Sequence, residues 1–187
     1  CASTPVNDYI GRLSRRFDFN YINLGFSGSA KGEQAMMDYI AGLDMSMFVY
    51  DYDHNAPDPA HLAATHYKGY QTVRASHPDI PIIMAHMGSF CMMKNPDEDL
   101  ENLPENVFID TAMSAELEES GEFEEIIRRF GTNRVLYGSD FPYGSQKAAI
   151  ARIRDSSFTD SEKEDMLWKN AAKILKTVGK LPENIEL

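Results

Sequence analysis

The sequence predicts an α/β protein: an open, mostly parallel sheet of about five strands with helices on both faces, giving three layers. Short apolar runs bounded by turn residues alternate with segments of helical spacing, which is typical of successive strand–helix units. Hydrophobic residues make up 43% of the 187 residues, enough to form a core. No apolar run approaches the roughly 20 residues that span a bilayer, so we expect no membrane-spanning segment.

Apolar runs define the predicted strands. The one in the middle of the chain, Ile82-Ile83-Met84, is continuously apolar, as expected for a strand buried on both faces. The five predicted strands are residues 21–26, 47–52, 80–85, 107–109 and 135–137.

Helical spacing separates these strands, and several helix ends carry their own signal. Asp58 can cap a helix that starts at Pro59, and Thr159 with Glu162 forms a capping-box pattern. Gly179 can end the last helix in a left-handed conformation. The predicted helices are residues 6–17, 32–41, 59–75, 115–130, 146–154 and 160–178.

The net charge limits the classes of binding partner, and the cysteine content indicates the compartment. The net charge of −11 argues against binding to nucleic acid or to an anionic membrane, because phosphate contacts need clustered Lys and Arg. The chain has only two cysteines, so a disulfide framework is not expected and a reducing compartment, the cytoplasm, is favoured.

The first candidate site lies in residues 24–29 and 51–57, Leu-Gly-Phe-Ser-Gly-Ser and Asp-Tyr-Asp-His-Asn-Ala-Pro. With these motifs, residues 1–84 resemble SGNH (GDSL-like) esterases. The resemblance implies that the backbone of Gly28 and the side chain of Asn55 stabilise an oxyanion during acyl transfer. The chain begins after the strand that carries the nucleophile in that family, and it lacks the Asp-x-x-His block. Ser27 and Ser29 are alternative nucleophiles only if a base activates them.

The same residues also allow simpler interpretations. The glycines of the first motif permit a tight turn between strand and helix. His54, His61 and His66 are interpreted as solvent-facing or turn histidines, and recruitment of His54 or His66 to a metal site is left open.

The second candidate site lies in the C-terminal part. Ala85-His86-Met87-Gly88, the run 106–111, the run 130–142 and Asn170-Ala171-Ala172 occur in that order. With them, residues 81–178 resemble metal-dependent amidohydrolases of the decarboxylase and lactonase branch, which are (β/α)₈ barrels. The resemblance implies an acid/base role for His86, and a role for Asp140 as ligand of a divalent metal such as Zn²⁺ and as proton acceptor. From the residues alone, Asp140 before Phe141-Pro142 is equally a turn-former.

These resemblances predict an amidohydrolase-like segment (residues 81–178) after an SGNH-like one (residues 1–80), with a tail at 179–187. The predicted function is that of a metal-dependent hydrolase or decarboxylase that acts on a small-molecule substrate. Only half of its site is present, because the chain has no His-x-His pair to complete the catalytic set. We therefore expect the chain alone to have weak activity or none. The alternatives are a serine esterase acting on acyl esters and a non-catalytic recombined domain. Five strands are too few to close a barrel, so oligomerisation through an exposed sheet edge is also predicted.

Overall fold

The computed structural model describes residues 8–88, 103–114 and 120–187. In these residues a parallel sheet of four strands forms, in the order in which they occur in the chain: β1-β2-β3-β4. Their bounds are β1 Phe48–Tyr50, β2 Ile82–Met84, β3 Val107–Asp110 and β4 Val135–Leu136.

The helices lie before and between the strands, and further helices follow β4. Asp58 caps α3 by accepting a hydrogen bond from the backbone N–H of His61, as the sequence predicts. Of the predicted helix 115–130, residues 115–119 lie outside the described part. The bounds are α1 Tyr9–Phe17, α2 Gln34–Ala41, α3 Pro59–Ser76, α4 Ser120–Phe130, α5 Gln146–Asp155, α6 Asp160–Glu164 and α7 Asn170–Thr177.

The core lies on one face of the sheet. Alternate strand residues, Tyr50, Met84, Ile109 and Val135, share that face and are almost fully buried. They belong to one cluster with apolar residues of α2, α3, α4 and α5. Residues before and after position 80 therefore share one sheet and one core. The strands are sequential in the sheet, and crossovers of the usual right hand carry the helices between such strands to one face. Because Val49, Ile83 and Phe108 on the other face are partly exposed, the expected three-layer arrangement does not form in the described residues.

The predicted strand at residues 21–26 is wrong. This segment has no regular secondary structure, and β1 pairs only with β2 among the described strands. Asn23 instead forms local contacts: its side chain accepts from the backbone N–H of Gly25 and donates to Asp8, at 2.9 and 3.2 Å. A strand without a neighbour to satisfy its backbone groups has little reason to form.

The last predicted helix, residues 160–178, contains a π-helical segment, Asp165–Lys169, between α6 and α7. The carbonyl of Met166 accepts a hydrogen bond from the backbone N–H of Tyr137, directly after β4, at 2.9 Å. The buried side chain of Asn170 donates to the carbonyls of Thr132 and Val135. This helical region is therefore bonded to the edge of the sheet as well as packed against it.

Among the described helices, none has the length and apolarity required to cross a membrane.

Candidate functional site

The chemistry-bearing residues follow the strands of the sheet. Asp53 and His54 come after β1, His86 after β2, Asp110 ends β3, and Asp140 follows β4. The carboxyl ends of parallel strands lie at one edge, which is where open α/β sheets and barrels place their ligands. His86, Asp140 and Asn55, three of the predicted site residues, therefore follow the carboxyl ends of strands in one sheet.

Asp53 is the centre of the site. Its Oδ1 lies 2.7 Å from Nδ1 of His86 and 3.3 Å from Nδ1 of His54, and it also accepts from the backbone N–H of His54. Asp53 and His86 are buried, whereas the side chain of His54 is 46% exposed. The imidazole rings of His54 and His86 meet edge to face, 4.5 Å apart between centroids. The cluster is thus buried on one side and open to solvent on the His54 side.

The charges of these groups depend on one another. Burial opposes a charge on Asp53, but hydrogen bonds with His54 and His86 hold its pKa well below the usual range. Burial would lower the pKa of His86, yet the hydrogen bond and charge of Asp53 outweigh it and raise this pKa to about 9. The hydrogen bond with Asp53 likewise raises the pKa of His54. A carboxylate shared by two imidazoles results.

Further carboxylates surround this cluster. Asp51 Oδ1 lies 3.7 Å from Nδ1 of His86, and burial raises the pKa of Asp51, with the charges of Asp53 and Asp140 adding to the effect. Burial raises the pKa of Asp110 to about 6. Asp140, which has a left-handed backbone (φ 51°), also acts electrostatically on His54. The edge of the sheet is therefore an environment that favours a cation.

Gly28 and Asn55, the other predicted pair, meet around Lys31. The Lys31 ammonium donates to the backbone carbonyls of both residues, at 3.2 Å for Gly28. Gly28 has a positive φ of 67°, which a glycine adopts without strain. Asn55 directly follows His54, so both members of the pair lie near the cluster. Their role as oxyanion donors stays a prediction.

A small cavity lies between the end of β3 and the start of α5. Its volume is about 130 Å³, and Thr111, Met113, Ser139 and Ser145 contribute to its lining. Its lining offers hydroxyl groups and apolar side chains.

Three residues of the described part are spaced to hold a metal ion. Asp53, His54 and His86 each offer one ligand atom, and these atoms lie within 4.8 Å of one another. Two imidazoles and a carboxylate suit Zn²⁺ or Mn²⁺, and three protein ligands leave a position open. The sequence singled out His86 but gave Asp53 no role. The one signal for Asp53 was the run Asp51 to His54 directly after an apolar strand. Asp140 is not a member of this group, and its metal role stays a prediction.

His66 lies in a different environment from the one that the sequence predicted. It is only 2% exposed and stacks on the rings of Tyr50 and Tyr52, with centroids 4.6 and 5.6 Å away. The interpretation of His66 as a solvent-facing or turn residue is therefore wrong.

A parallel sheet with acidic and histidine side chains at its carboxyl edge defines an α/β protein with a candidate ligand site at that edge. The profile of the GDSL-like Lipase/Acylhydrolase family matches residues 1–124, and the chain belongs to this family. No curated protein sequence matches the chain.

Solved structures give the second likeness. A 2,6-dihydroxybenzoate decarboxylase from Rhizobium is 18% identical, with a TM-score of 0.55 over 94% of this chain and 70% of the other. A 2,6-dihydroxybenzoate decarboxylase complexed with 2,6-dihydroxybenzoate has the same identity and TM-score over 94% and 69%. A dihydroxybenzoic acid decarboxylase from Polaromonas sp. JS666, with bound manganese and the inhibitor 2-nitroresorcinol, is 18% identical over 63% and 39%, with a TM-score of 0.48. The first two show that this chain is similar in fold to these decarboxylases over 94% of its length. Both resemblances stated from the sequence are confirmed.

Proposed function

We propose that this protein is a divalent-cation-dependent hydrolase whose ion is held by Asp53, His54 and His86. The observation that carries the proposal is the convergence of three ligand atoms within 4.8 Å at the carboxyl edge of a parallel sheet. A bound divalent ion there would act as a Lewis acid on a substrate oxygen. His54, half exposed, lies on the side from which an ion or a substrate can enter.

The neighbouring residues would supply the rest of the chemistry. Asp140 is our candidate for the proton acceptor, because it follows β4 at the same carboxyl edge of the sheet and its negative charge acts on His54. The cavity of about 130 Å³ that Thr111 and Ser139 help to line would hold a small group of the substrate. We expect weak turnover, because a set of metal ligands with a single proton acceptor is smaller than a complete hydrolase site.

Titration of the purified protein with Mn²⁺ and with Zn²⁺, followed by calorimetry, tests the metal site. We expect one ion per chain in the wild type. Asp53→Asn and His86→Gln should each weaken the affinity by at least about 100-fold, because each removes one of three ligands. Saturation at about 100 times Kd should also raise the unfolding free energy by about 2.7 kcal/mol.

His77→Gln is the matched control, because the imidazole of His77 lies at the end of α3, bonded to the carbonyl of Ala41, before β2 begins. Its affinity should equal that of the wild type. Wild-type protein that binds neither ion, or Asp53 and His86 variants that bind as tightly as His77→Gln, would contradict the proposal.

A second candidate is a serine esterase. It is favoured by membership of the acylhydrolase family and by the meeting of Gly28 and Asn55 around Lys31. The nucleophile would be Ser27 or Ser29, which flank Gly28 in the sequence. A fluorophosphonate that labels the wild type, but not Ser27→Ala or Ser29→Ala, would support this candidate.

Activity assays separate the two candidates. Hydrolysis of p-nitrophenyl acetate that EDTA abolishes supports the metal-dependent hydrolase, and EDTA-resistant hydrolysis supports the serine esterase. The fold shared with decarboxylases makes 2,6-dihydroxybenzoate a second substrate to assay. Metal-dependent release of CO₂ would assign the same site to decarboxylation instead of hydrolysis.

A further inference from the structure

One oxygen of Asp110 joins the ends of two strands. Its Oδ1 accepts a hydrogen bond from the backbone N–H of His86, at 3.0 Å, and another from that of Ala112, at 2.9 Å. His86 follows β2, whereas Asp110 and Ala112 belong to the end of β3. The carboxylate therefore holds the main chain of His86 against the neighbouring strand.

The main chain of His86 needs such support. His86 (φ 54°, ψ 54°) and Met87 (φ 58°, ψ 29°) are both left-handed. For residues with a Cβ this conformation is unfavourable, so it persists only where surrounding contacts favour it. The bond to Asp110 is such a contact. It is formed at the residue whose imidazole meets Asp53.

Gly138, after β4, makes room for this carboxylate. A Cβ on Gly138 would lie 3.0 Å from Cγ of Asp110 and 3.0 Å from the backbone nitrogen of Ala112. The side chain of Thr111 fixes Gly138 by bonding both its N–H and its carbonyl, each at 3.1 Å. A side chain at position 138 would thus push against Asp110.

We propose that Asp110 is a positioning residue, which fixes the left-handed main chain of His86 so that its imidazole completes the cation site with Asp53 and His54. The inference rests on the proposed metal site and adds a dependence on β3, a strand that contributes none of those three ligands. Its physical basis is the acceptor geometry of a single oxygen. Asparagine keeps one such oxygen and should therefore still hold the main chain of His86 at position 110, whereas alanine, which has no acceptor, should not.

The test compares the Mn²⁺ affinity of folded Asp110→Ala, Asp110→Asn and Gly138→Ala proteins by calorimetry. We expect Asp110→Ala to weaken binding about 10- to 100-fold, as losses of outer partners of metal ligands do, and Asp110→Asn to stay within about threefold of the wild type. Gly138→Ala should weaken binding in the same direction as Asp110→Ala. Asp79→Ala, an exposed acid before β2, controls for the loss of one negative charge.

A second measurement does not depend on a metal ion. A positive φ brings the amide and α protons of a residue together, so NMR should show a strong intraresidue NOE for His86 in the wild type and in Asp110→Asn, and a weak one in Asp110→Ala. The inference would be overturned if Asp110→Ala bound Mn²⁺ as tightly as the wild type. It would also be overturned if Asp110→Asn lost as much Mn²⁺ affinity as Asp110→Ala. If the wild type binds no ion, the metal proposal fails, and the NOE comparison still decides whether Asp110 holds His86.

Discussion

At the scale of single residues, His66 shows how burial sets a charge state. It lies on α3, is 2% exposed and stacks on Tyr50 and Tyr52. Burial lowers its pKa to about 4, from an ordinary value of 6.5. The folded protein thus keeps this imidazole neutral at pH values at which the unfolded chain protonates it.

We predict that this histidine makes stability fall in weak acid. Above about pH 6.5 both states hold a neutral His66, and its contribution to stability is complete. Between about pH 6.5 and 4 only the unfolded state takes the proton, so up to about 3 kcal/mol is lost. In His66→Phe this loss should be absent.

Urea unfolding of both proteins at pH 7 and pH 4.5 measures the effect. The difference between wild type and variant matters, because the other titrating groups, such as Asp110 with its raised pKa, affect both proteins alike. His77→Phe, at a less buried histidine, is the control. Parallel pH profiles for wild type and His66→Phe would contradict the prediction.

The sequence could predict which site residues follow a strand, but it could not predict which of their side chains contact one another. His86, Asp140 and Asn55 lie at the sheet edge because each follows an apolar run, which sequence reveals. The sharing of Asp53 between His54 and His86 depends on the left-handed main chain at His86 and Met87. Neither residue is glycine, the usual sign of a positive φ, so the sequence offered no signal for it.

At the scale of elements, the π-helical segment connects the last helices to β4. It lets the carbonyl of Met166 accept from the backbone of Tyr137, outside the helix. Asn170, fully buried at the start of α7, adds two donated bonds at 2.8 and 2.9 Å to Thr132 and Val135. The bond to Val135 pairs the carbonyl of a buried strand residue, and the bond to Thr132 adds a second donor to a carbonyl that already accepts from the backbone N–H of Val135.

We predict that Asn170→Ala lowers the free energy of unfolding by about 2 to 3 kcal/mol. The substitution removes both donated bonds and takes this donor from the carbonyl of the buried Val135, and an unpaired buried polar group costs about 1 to 3 kcal/mol. Denaturant unfolding measures the change. Thr177→Ala, an exposed position on the same helix, should change stability by less than about 0.5 kcal/mol. A loss at position 170 no greater than at 177 would refute the prediction.

Local chemistry predicted the helices better than the strands. The capping box of Thr159 and Glu162 and the cap at Asp58 form as the sequence indicates, because each bond joins residues three apart. A strand depends on a partner distant in sequence, and propensity alone does not supply one. Residues 21–26 have the composition of a strand but pair with no other strand in the described residues, so this one of the five predicted strands did not form.

At the scale of the whole molecule, the two faces of the sheet differ. The helix-covered face is almost fully buried, whereas on the other face Val49 is 40% exposed, and Ile83 and Phe108 are partly exposed. Four strands cannot close into a barrel, and β1 has a neighbour on one side only among the described strands. Such an edge can pair with another chain.

We predict reversible self-association through this edge. Because the net charge of −11 opposes contact between copies, association should strengthen with ionic strength. Sedimentation equilibrium at low and high salt measures it. Val49→Lys should weaken association, whereas Tyr39→Lys, at an exposed position of α2, should not. A monomer under all conditions, or equal behaviour of the two variants, would contradict the prediction.

The sequential strand order has a consequence for how the chain reaches its native state. Each described strand pairs with the strand just before or just after it in the chain. Only one connecting segment therefore has to be closed into a loop when each pair of strands forms. Contact order is therefore low for a parallel sheet, and each strand–helix unit can dock on the one already formed. Such assembly can advance from the amino-terminal strand as the nascent polypeptide emerges from the ribosome.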